Sequence, residues 1–272
     1  MEDDPRPIDA IRRHFEVERE LAARLLHTNR SERTRIFRTL YDELFARVPD
    51  HPRLLRRETE ESSARAVAAR MRLLTPFLTG VSTFLEFAPG DCRLAYEVCR
   101  HAKKVYGVDI SDQSGSAAGR PYNFDLIVYD GYNLDIADQS VDLVFSYQFL
   151  EHLHPDDVDA HFALVYRILK PGGAYIFSTP HRFSGPHDVS RLFSDTPQGF
   201  HFREWTFFEL GRVVTRLGFG AWHTYRFGKP RLSSPCNLAT VTAEHVIDLL
   251  PRRMQRVLSA RMFNSVTMIC RK

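Results

Sequence analysis

The sequence predicts an α/β fold, with a mainly parallel sheet and helices on both of its faces. From residue 83 onward, short apolar segments alternate with segments of helical periodicity, which is typical of parallel strands joined by helices. The 272 residues, of which 43% are hydrophobic, can bury one full core and still supply an additional segment. We therefore expect an N-terminal helical cap over residues 1–80 and one α/β domain over residues 81–272.

The cap is predicted from apolar residues at helical spacing. A first helix carries one apolar face, a second runs from an N-cap at Ser31 to a stop before Pro49, and a third follows. The apolar positions are Ile8, Ile11, Phe15, Ala22 and Leu25, then Ile36, Leu40 and Leu44, then Val67, Met71 and Leu74. Because such faces must be buried, we expect these helices to cover one mouth of the sheet, with Phe15, Phe37 and Tyr41 serving helix packing.

The α/β domain is predicted from the order of its segments. The strands are FLEFA, KVYGVDI, DLIVYD, SVDLVFS and GGAYIFST, with late strands near AWHTYRF and SVTMICR. One helix follows SVDLVFS, and Thr206 with Glu209 forms a capping box for another that ends at Gly218. Residues 180–203 show no period, and a long irregular loop in a compact domain is usually functional.

The composition disfavours several classes of protein. Lys and Arg number 37 against 34 Asp and Glu, so the formal net charge of +3 predicts no basic surface for nucleic acid. The four cysteines have no zinc-ligand spacing, and no stretch approaches the roughly 18 apolar residues that a membrane span needs. We expect a cytoplasmic protein that acts on a small molecule, with nucleic acid an unlikely partner and no membrane association; the oligomeric state is not predicted.

A ligand cradle is predicted in FLEFAPGDCRLAYEV. Glu86 ends a buried strand, Gly90 lies in the turn, and a helix begins directly afterwards. Gly90 has no Cβ, so a ligand can approach its backbone closely. Asp109 ends the next strand, where its carboxylate could accept both hydroxyls of a ribose or could form an Asx turn with Ser111.

Five segments, in this order, resemble the class I S-adenosylmethionine-dependent methyltransferases over residues 83–179. They are LEFAPGD, VYGVDIS, YDGYNLDIADQSVDLVFS, QFLEHL and ILKPGGAYIFSTP. The resemblance implies a Rossmann-like seven-stranded sheet whose final strand is antiparallel, with S-adenosyl-L-methionine as cofactor. Ala88 and Cys92 stand where the family usually has glycine, and we expect Ala88, at a strand end, not to need a positive φ.

The resemblance also implies which residues hold the cofactor. They are Glu86, Phe87, Gly90, Asp109, Asp130, Gly131, Ser146 and Tyr147. Glu86 and Gly90 would line its methionine end, Asp109 would hold the ribose, and Asp130 with Gly131 would meet the adenine edge. Ser146 and Tyr147 would form the floor of the pocket. A turn in YDGYN is the structural alternative for Asp130.

Catalytic residues are expected in QFLEHL, which follows a strand at the edge where ligands of open α/β sheets bind. His152, or His201 in GFHFREWT, could take a hydroxyl proton as a general base beside Glu151. Relatives with ExxEH at this point and a later His bind a divalent metal, so Glu151, His152 and His201 could instead hold Mg²⁺ or another divalent ion. Gln148 replaces the first carboxylate of that pattern. A helix-capping Glu151 and a packed His152 are the structural alternatives.

The acceptor is expected to contact Gln148, His181, His187 and Arg191, although the loop residues among them could instead hold the loop in place. The leading hypothesis is transfer of a methyl group to a hydroxyl of a sugar or secondary metabolite. A metal-dependent RNA ribose 2'-O-methyltransferase and a non-catalytic binding module are the alternatives. The turn APGDC lacks GxGxxG, which disfavours a nicotinamide dehydrogenase.

Overall fold

The computed structural model of the protein describes residues 4–37, 39–55, 60–114, 119–226 and 229–272. Its helices are α1 (Ile8–Leu26), α2 (Arg30–Phe37), α3 (Leu40–Arg47), α4 (Pro52–Leu55), α5 (Glu60–Leu74), α6 (Arg93–Val98), α7 (Val158–Ile168), α8 (Phe207–Arg216), α9 (Ser234–Asp248) and α10 (Arg252–Met262). Its strands are β1 (Thr83–Phe87), β2 (Lys104–Asp109), β3 (Phe124–Val128), β4 (Val141–Tyr147), β5 (Leu169–Pro180), β6 (Ala221–Arg226), β7 (Lys229–Arg231) and β8 (Ser265–Arg271). Short 3-10 turns lie at Thr75–Phe77, Leu150–His152, Pro155–Asp157 and Val189–Leu192.

The strands form one sheet in the order β3-β2-β1-β4-β5-β8-β6-β7. The five strands from β3 to β5 are parallel, and β8 runs antiparallel to both β5 and β6, which confirms the mainly parallel sheet. The prediction of seven strands was wrong, because Lys229–Arg231 adds an eighth strand antiparallel to β6. Three residues are too few to show a strand period in the sequence.

Helices cover both faces of the sheet, as predicted. On one face, Phe162 of α7 and Leu210 of α8 pack with Leu85 of β1 in the largest apolar cluster. On the other face, Leu94 of α6 packs with Phe84 in a second cluster. Neighbouring residues of β1 therefore point to opposite faces, as a pleated strand requires.

Five helices precede the first strand within the described ranges. Of these, α1 and α3 pack on each other through Leu21, Leu25 and Leu44, whereas Leu74 of α5 packs with α6 and the sheet. The single second helix expected between Ser31 and Pro49 is in fact two helices, α2 and α3. The expected N-cap was also wrong, because the Asn29 side chain accepts from Glu32 N at 3.1 Å and the Glu32 carboxylate accepts from Asn29 N at 2.9 Å. This reciprocal pair satisfies two backbone groups at the start of α2.

A buried ion pair connects the helical cap to the α/β domain. Arg33 of α2 is 2% exposed, and its Nε lies 3.0 Å from Asp157 Oδ2. Tyr132, in the loop after β3, donates its hydroxyl to the same carboxylate at 2.9 Å. Because these charges are shielded from water, removal of Asp157 would leave Arg33 as an uncompensated buried charge. The cap is therefore held at a defined position over the sheet edge.

The capping box of α8 is present as predicted, with Glu209 N donating to Thr206 Oγ1 and Thr206 N donating to the Glu209 carboxylate. A second carboxylate reaches the same helix start from α9. Glu244 accepts from Phe207 N at 2.7 Å and from Phe208 N at 2.9 Å. It also lies 2.7 Å from His181 Nε2, which joins α9, the start of α8 and the end of β5.

We expect Glu244→Gln to lower the free energy of unfolding by about 2–4 kcal/mol, because the amide replaces a buried charged acceptor of three hydrogen bonds. Denaturation in urea measures this change. Asp248→Asn, an exposed site on the same helix, is the matched control and should change stability by less than about 0.5 kcal/mol. Equal stability of the two variants would contradict a supporting role for Glu244.

Candidate active site

A cavity of about 1080 Å³ lies at the carboxyl ends of the parallel strands, between the sheet, the helical cap and the loop 181–206. The sheet edge contributes Glu86, Ala88, Gly90, Asp109, Tyr129, Gly131, Tyr147, Gln148, Phe149 and His152. The cap contributes Arg6, His14, Glu18, Phe37, Tyr41, His51, Arg53 and Arg70, and the loop contributes Asp188, Phe200, His201 and Phe202. Polar groups from three separate parts of the chain thus converge on one space, as in binding sites of open α/β sheets.

Glu86 presents an unpartnered carboxylate oxygen at the end of β1. The residue is 2% exposed, and Oε2 is buried without a hydrogen-bond partner among the described residues. Burial raises the pKa of Glu86 to about 8, against the opposing field of Arg70 from α5. A buried oxygen of this kind is costly unless a ligand donates to it. The site is therefore built for a cationic or hydrogen-bond-donating group.

The turn after β1 takes a left-handed backbone conformation three times. The φ angles are +50° at Ala88, +57° at Gly90 and +61° at Cys92. The expectation that Ala88 would not need a positive φ was therefore wrong, and both replaced glycines keep the backbone shape that glycine favours. A Cβ at Gly90 would meet no atom within 4 Å, so the turn opens onto empty space beside the Glu86 carboxylate.

Asp109 lies at the end of β2, one strand away from Glu86 in the sheet. It is 9% exposed and lines the cavity, and burial raises its pKa while backbone hydrogen bonds and the charge of Arg53 oppose this rise. Ser111 N donates to Asp109 Oδ1 at 3.2 Å, so the Asx turn considered from the sequence is also present. Backbone N–H groups of Gly90 and Ile110 also act on this carboxylate, so it is held in place at the cavity wall.

The remaining predicted cofactor residues divide into two groups. Gly131, with a φ of +91°, and Tyr147 line the cavity. Asp130 is engaged in its own loop, where Oδ1 accepts from Tyr132 N and Asn133 N. Phe87 and Ser146 are fully buried beneath the cavity floor, and Ser146 Oγ is hydrogen-bonded to Tyr175 Oη at 2.7 Å. Contact of Gly131 and Tyr147 with the cofactor stays a prediction. Phe87 and Ser146 lie beneath the cavity and support its floor.

His152 and His201 line the cavity and meet the fully buried Glu151, with one ligand atom of each residue within 4.8 Å of the others. His152 Nδ1 lies 2.9 Å from the carbonyl oxygen of Phe200, which can only accept, so Nδ1 carries the proton. Burial lowers the pKa of His152 to about 3, and its Nε2 is consequently an unprotonated acceptor. Glu151 Oε2 accepts from Thr179 at 2.9 Å, whereas Oε1 is buried without a partner in the described structure.

His201 is oriented by a buried carboxylate. Its Nδ1 lies 3.0 Å from Glu204 Oε1, and Glu204 is 2% exposed. Although burial lowers the pKa of His201, its hydrogen bond with Glu204 and the nearby acidic groups raise it overall. Glu204 also accepts from His187 N, and a Cβ at Gly185 would clash with its carboxylate. The loop therefore supplies a carboxylate–imidazole pair whose Nε2 is the ring nitrogen left for the cavity.

A second cluster of the same residue types, formed by His14, Glu18 and His51, has the opposite hydrogen-bond polarity. His14 Nδ1 accepts from Arg6 and His51 Nδ1 accepts from Arg53 N, so each Nε2 of the neutral rings bears a proton. His14 Nε2 donates to Glu18 at 2.8 Å, and His51 Nε2 lies 3.8 Å from the same oxygen. The cluster is a hydrogen-bonded network in the cap rather than a set of open donor atoms.

Three of the four residues predicted to bind the acceptor lie outside the cavity. Gln148 lines it, but His181 is 0% exposed and contacts Glu244 and Ser259, so its predicted acceptor contact is wrong. His187 is held by Glu204 and Ser184, and Arg191 is likewise absent from the cavity wall. Hydrogen bonds that fix the loop explain the positions of His181 and His187, which is the alternative considered from the sequence.

The sequence reasoning missed several cavity residues. Arg53 and Arg70 were not assigned to the site, and Tyr41 and Phe37 line the cavity although they were expected only to pack helices. Phe15 does pack as expected, stacked on Phe193 with ring centroids 4.9 Å apart. The only sequence signal for these arginines was their place on amphipathic helices. Without the tertiary structure, a polar side chain that faces a cavity cannot be distinguished from one on the surface.

Comparison with known proteins agrees with this geometry. Residues 85–177 match the family model described as a methyltransferase domain. A probable S-adenosylmethionine-dependent methyltransferase of Mycolicibacterium smegmatis is 28% identical over 160 residues, which are 58% of this chain and 58% of the relative. The chain thus spans somewhat more than half the length of that curated relative.

Two solved structures share the fold. The Burkholderia thailandensis 1,6-didemethyltoxoflavin-N1-methyltransferase, solved with 1,6-didemethyltoxoflavin and S-adenosylhomocysteine bound, superposes with a TM-score of 0.57 at 17% identity, covering 90% of this chain and 91% of that one. A SAM-dependent methyltransferase of Archaeoglobus fulgidus gives 0.53 at 18% identity, covering 76% and 94%.

Fold and cradle together define a methyltransferase-type α/β domain. More particularly, the match over residues 85–177 confirms the resemblance to class I S-adenosylmethionine-dependent methyltransferases that the sequence predicts. No helix in the described ranges is sufficiently long and apolar to cross a bilayer. The cytoplasmic location stays a prediction.

We expect Glu86→Gln to weaken binding of S-adenosylhomocysteine about ten- to a hundredfold, because the charged acceptor for the ligand's ammonium group is lost. Since the pKa of Glu86 is raised to about 8, wild-type affinity should increase as the pH rises toward 8, and the variant should lose this dependence. Calorimetric titration at several pH values tests both effects. Glu97→Gln, on α6 and away from the cavity wall, is the control, and identical affinities would exclude Glu86 from the site.

Proposed function

We propose that this protein transfers the methyl group of S-adenosylmethionine to a hydroxyl oxygen of a small molecule bound beneath the helical cap. The observation that carries this proposal is the His201–Glu204 pair beside a neutral His152, at the cavity edge next to the cofactor cradle. When bound, the cofactor supplies an electrophilic methyl group on its sulfonium. The residues of the chain then need to hold the acceptor in line, exclude water and remove one proton.

The residues of the cradle fit this cofactor. The unpartnered Glu86 Oε2 matches the ammonium of its methionine end, and the open Gly90 turn leaves room for that end to approach the backbone. Asp109 lies where its carboxylate can accept from the two ribose hydroxyls. A buried carboxylate oxygen without a partner, next to an open turn, favours an enzyme that binds this cofactor over the alternative of a non-catalytic module.

His201 is the proposed general base. The Glu204 carboxylate fixes the ring through Nδ1 and stabilises the imidazolium that forms when Nε2 takes the hydroxyl proton. His152 is the weaker base because burial lowers its pKa to about 3, but its unprotonated Nε2 can accept a hydrogen bond from the acceptor. Their ring centroids lie 4.9 Å apart, so both can act on one hydroxyl group.

We expect His201→Gln to reduce kcat about 10²–10⁴-fold with little change in the affinity for S-adenosylhomocysteine. Glu204→Gln should reduce kcat in the same direction, because the imidazolium loses its stabilising charge. Formation of S-adenosylhomocysteine, measured on an acceptor found by screening hydroxylated aromatics and sugars, provides the rate. His27→Gln, an exposed site in the cap, is the control, and full activity of His201→Gln would disprove the base assignment.

A metal-assisted version of the same transfer is favoured by a separate observation. Both imidazoles donate through Nδ1, to a carbonyl and to a carboxylate, which is the arrangement that usually orients histidine ligands of a metal. Glu151 Oε1 is the third open donor atom. Two imidazoles and one carboxylate suit a transition ion such as Zn²⁺ or Mn²⁺ better than Mg²⁺. A bound ion would occupy the Nε2 lone pairs, so it would replace the base mechanism.

Titration with Co²⁺, followed by its visible absorption, separates the two mechanisms. If the metal version holds, Co²⁺ should bind the wild type and His14→Gln with similar affinity and should fail to bind His201→Gln, because only the cluster of Glu151, His152 and His201 has open donor atoms among the described residues. The absence of Co²⁺ binding, or an equal loss in His14→Gln, would eliminate the metal version.

A further inference from the structure

Three arginines line the cavity within the described ranges, and they differ in what neutralises them. Arg6 is fully engaged, with a 2.7 Å ion pair to Asp4 and further bonds to Asp50 O and His14. Arg53 and Arg70 contact no carboxylate within ion-pair distance in the described structure. Each guanidinium instead lies over an aromatic ring, 5.3 Å from the centroid of Tyr41 and 4.8 Å from that of Tyr147, respectively.

The proposed cofactor accounts for one of these two cations. Its methionine end carries an ammonium and a single carboxylate, and Arg70 supplies the largest opposing charge at Glu86. The Glu86–Arg70 pair can therefore receive both ends of the amino acid group, with Tyr147 as the platform beneath the guanidinium. The other charged group of the cofactor, the sulfonium, is a cation and gives no reason for a second arginine.

Arg53 is connected to the catalytic edge by a series of contacts. It lies over Tyr41, whose ring is 6.0 Å from that of Phe200, and the carbonyl oxygen of Phe200 accepts from His152. Its charge also opposes the rise that burial causes in the pKa of Asp109. Arg53 itself is exposed and contacts Tyr41 but no carboxylate within ion-pair distance in the described structure, so a ligand in the cavity can reach its guanidinium without breaking an ion pair.

We infer that the acceptor is an aromatic hydroxy compound carrying a carboxylate or phosphate group, which pairs with Arg53. Aromatic rings of the cavity near this arginine, Tyr41, Phe200 and Phe202, provide an apolar surface for the body of such a molecule. A guanidinium held over an aromatic ring is suited to recognise a planar anion through two parallel hydrogen bonds. This inference rests on the proposed function, since it assigns the substrate class of the same cavity.

The test uses protein saturated with S-adenosylhomocysteine and three probes: 4-hydroxybenzoate, 4-hydroxyphenyl phosphate and the neutral 4-hydroxybenzamide. We expect at least one anion to bind the wild type about tenfold or more tightly than the amide in calorimetric titrations. Arg53→Gln should abolish this preference, and Arg53→Lys should retain part of it. The anion that is preferred distinguishes a carboxylate from a phosphate acceptor.

Arg65→Gln, an exposed site on α5 that does not line the cavity, should behave as the wild type. Arg70→Gln should instead weaken S-adenosylhomocysteine, whereas Arg53→Gln should leave its affinity unchanged. Equal binding of acids and amide at millimolar concentration, no binding of any acid, or a preference that survives in Arg53→Gln would overturn the inference while cofactor binding stays intact. Failure of the wild type to bind S-adenosylhomocysteine would instead overturn the proposed function.

Discussion

The site depends on one constraint of topology, the reversal of winding direction at β1. This strand pairs with β2 on one side and with β4 on the other, and all three are parallel. Because the connections leave β1 in opposite directions, none of the described helices that connect the strands covers the sheet edge between them, and a crevice opens at the carboxyl ends. Glu86 lies one residue before the end of β1, and Asp109 and Tyr147 end the other two strands, so all three meet in that crevice.

The helical cap closes the crevice, and buried polar contacts determine where it lies. Arg33 pairs with Asp157 of the α/β domain, and Glu18 accepts from Phe200 N of the loop 181–206. A side chain at Gly199 would collide with the Glu18 carboxylate, so glycine is needed where the loop passes beneath the cap. These contacts bring Arg53, Arg70 and Tyr41 over the sheet edge, where water can be excluded from the transfer.

Two His–Glu clusters in this cavity show that residue type alone does not define chemistry. Around Glu18, both ring Nδ1 atoms accept hydrogen bonds, and the remaining N–H groups point toward the carboxylate. Around Glu151, both Nδ1 atoms donate, and the remaining lone pairs belong to a base or a metal ligand. The difference arises from the partners of the rings. Around Glu18 these partners are an Arg side chain and a backbone N–H, whereas around Glu151 they are acceptor oxygens.

The sequence by itself determined the α/β class, the order of the principal strands, the capping box at Thr206 and the strand-end positions of Glu86 and Asp109. These features follow from local periodicity and from turn chemistry, which act over a few residues. The division of the second cap helix, the short strand β7 and the positive φ of Ala88 were not predicted, since their local signals are weak. Only the tertiary structure decided that His181 is buried against Glu244 while Arg53 and Arg70 enter the cavity, because burial depends on contacts between segments far apart in the chain.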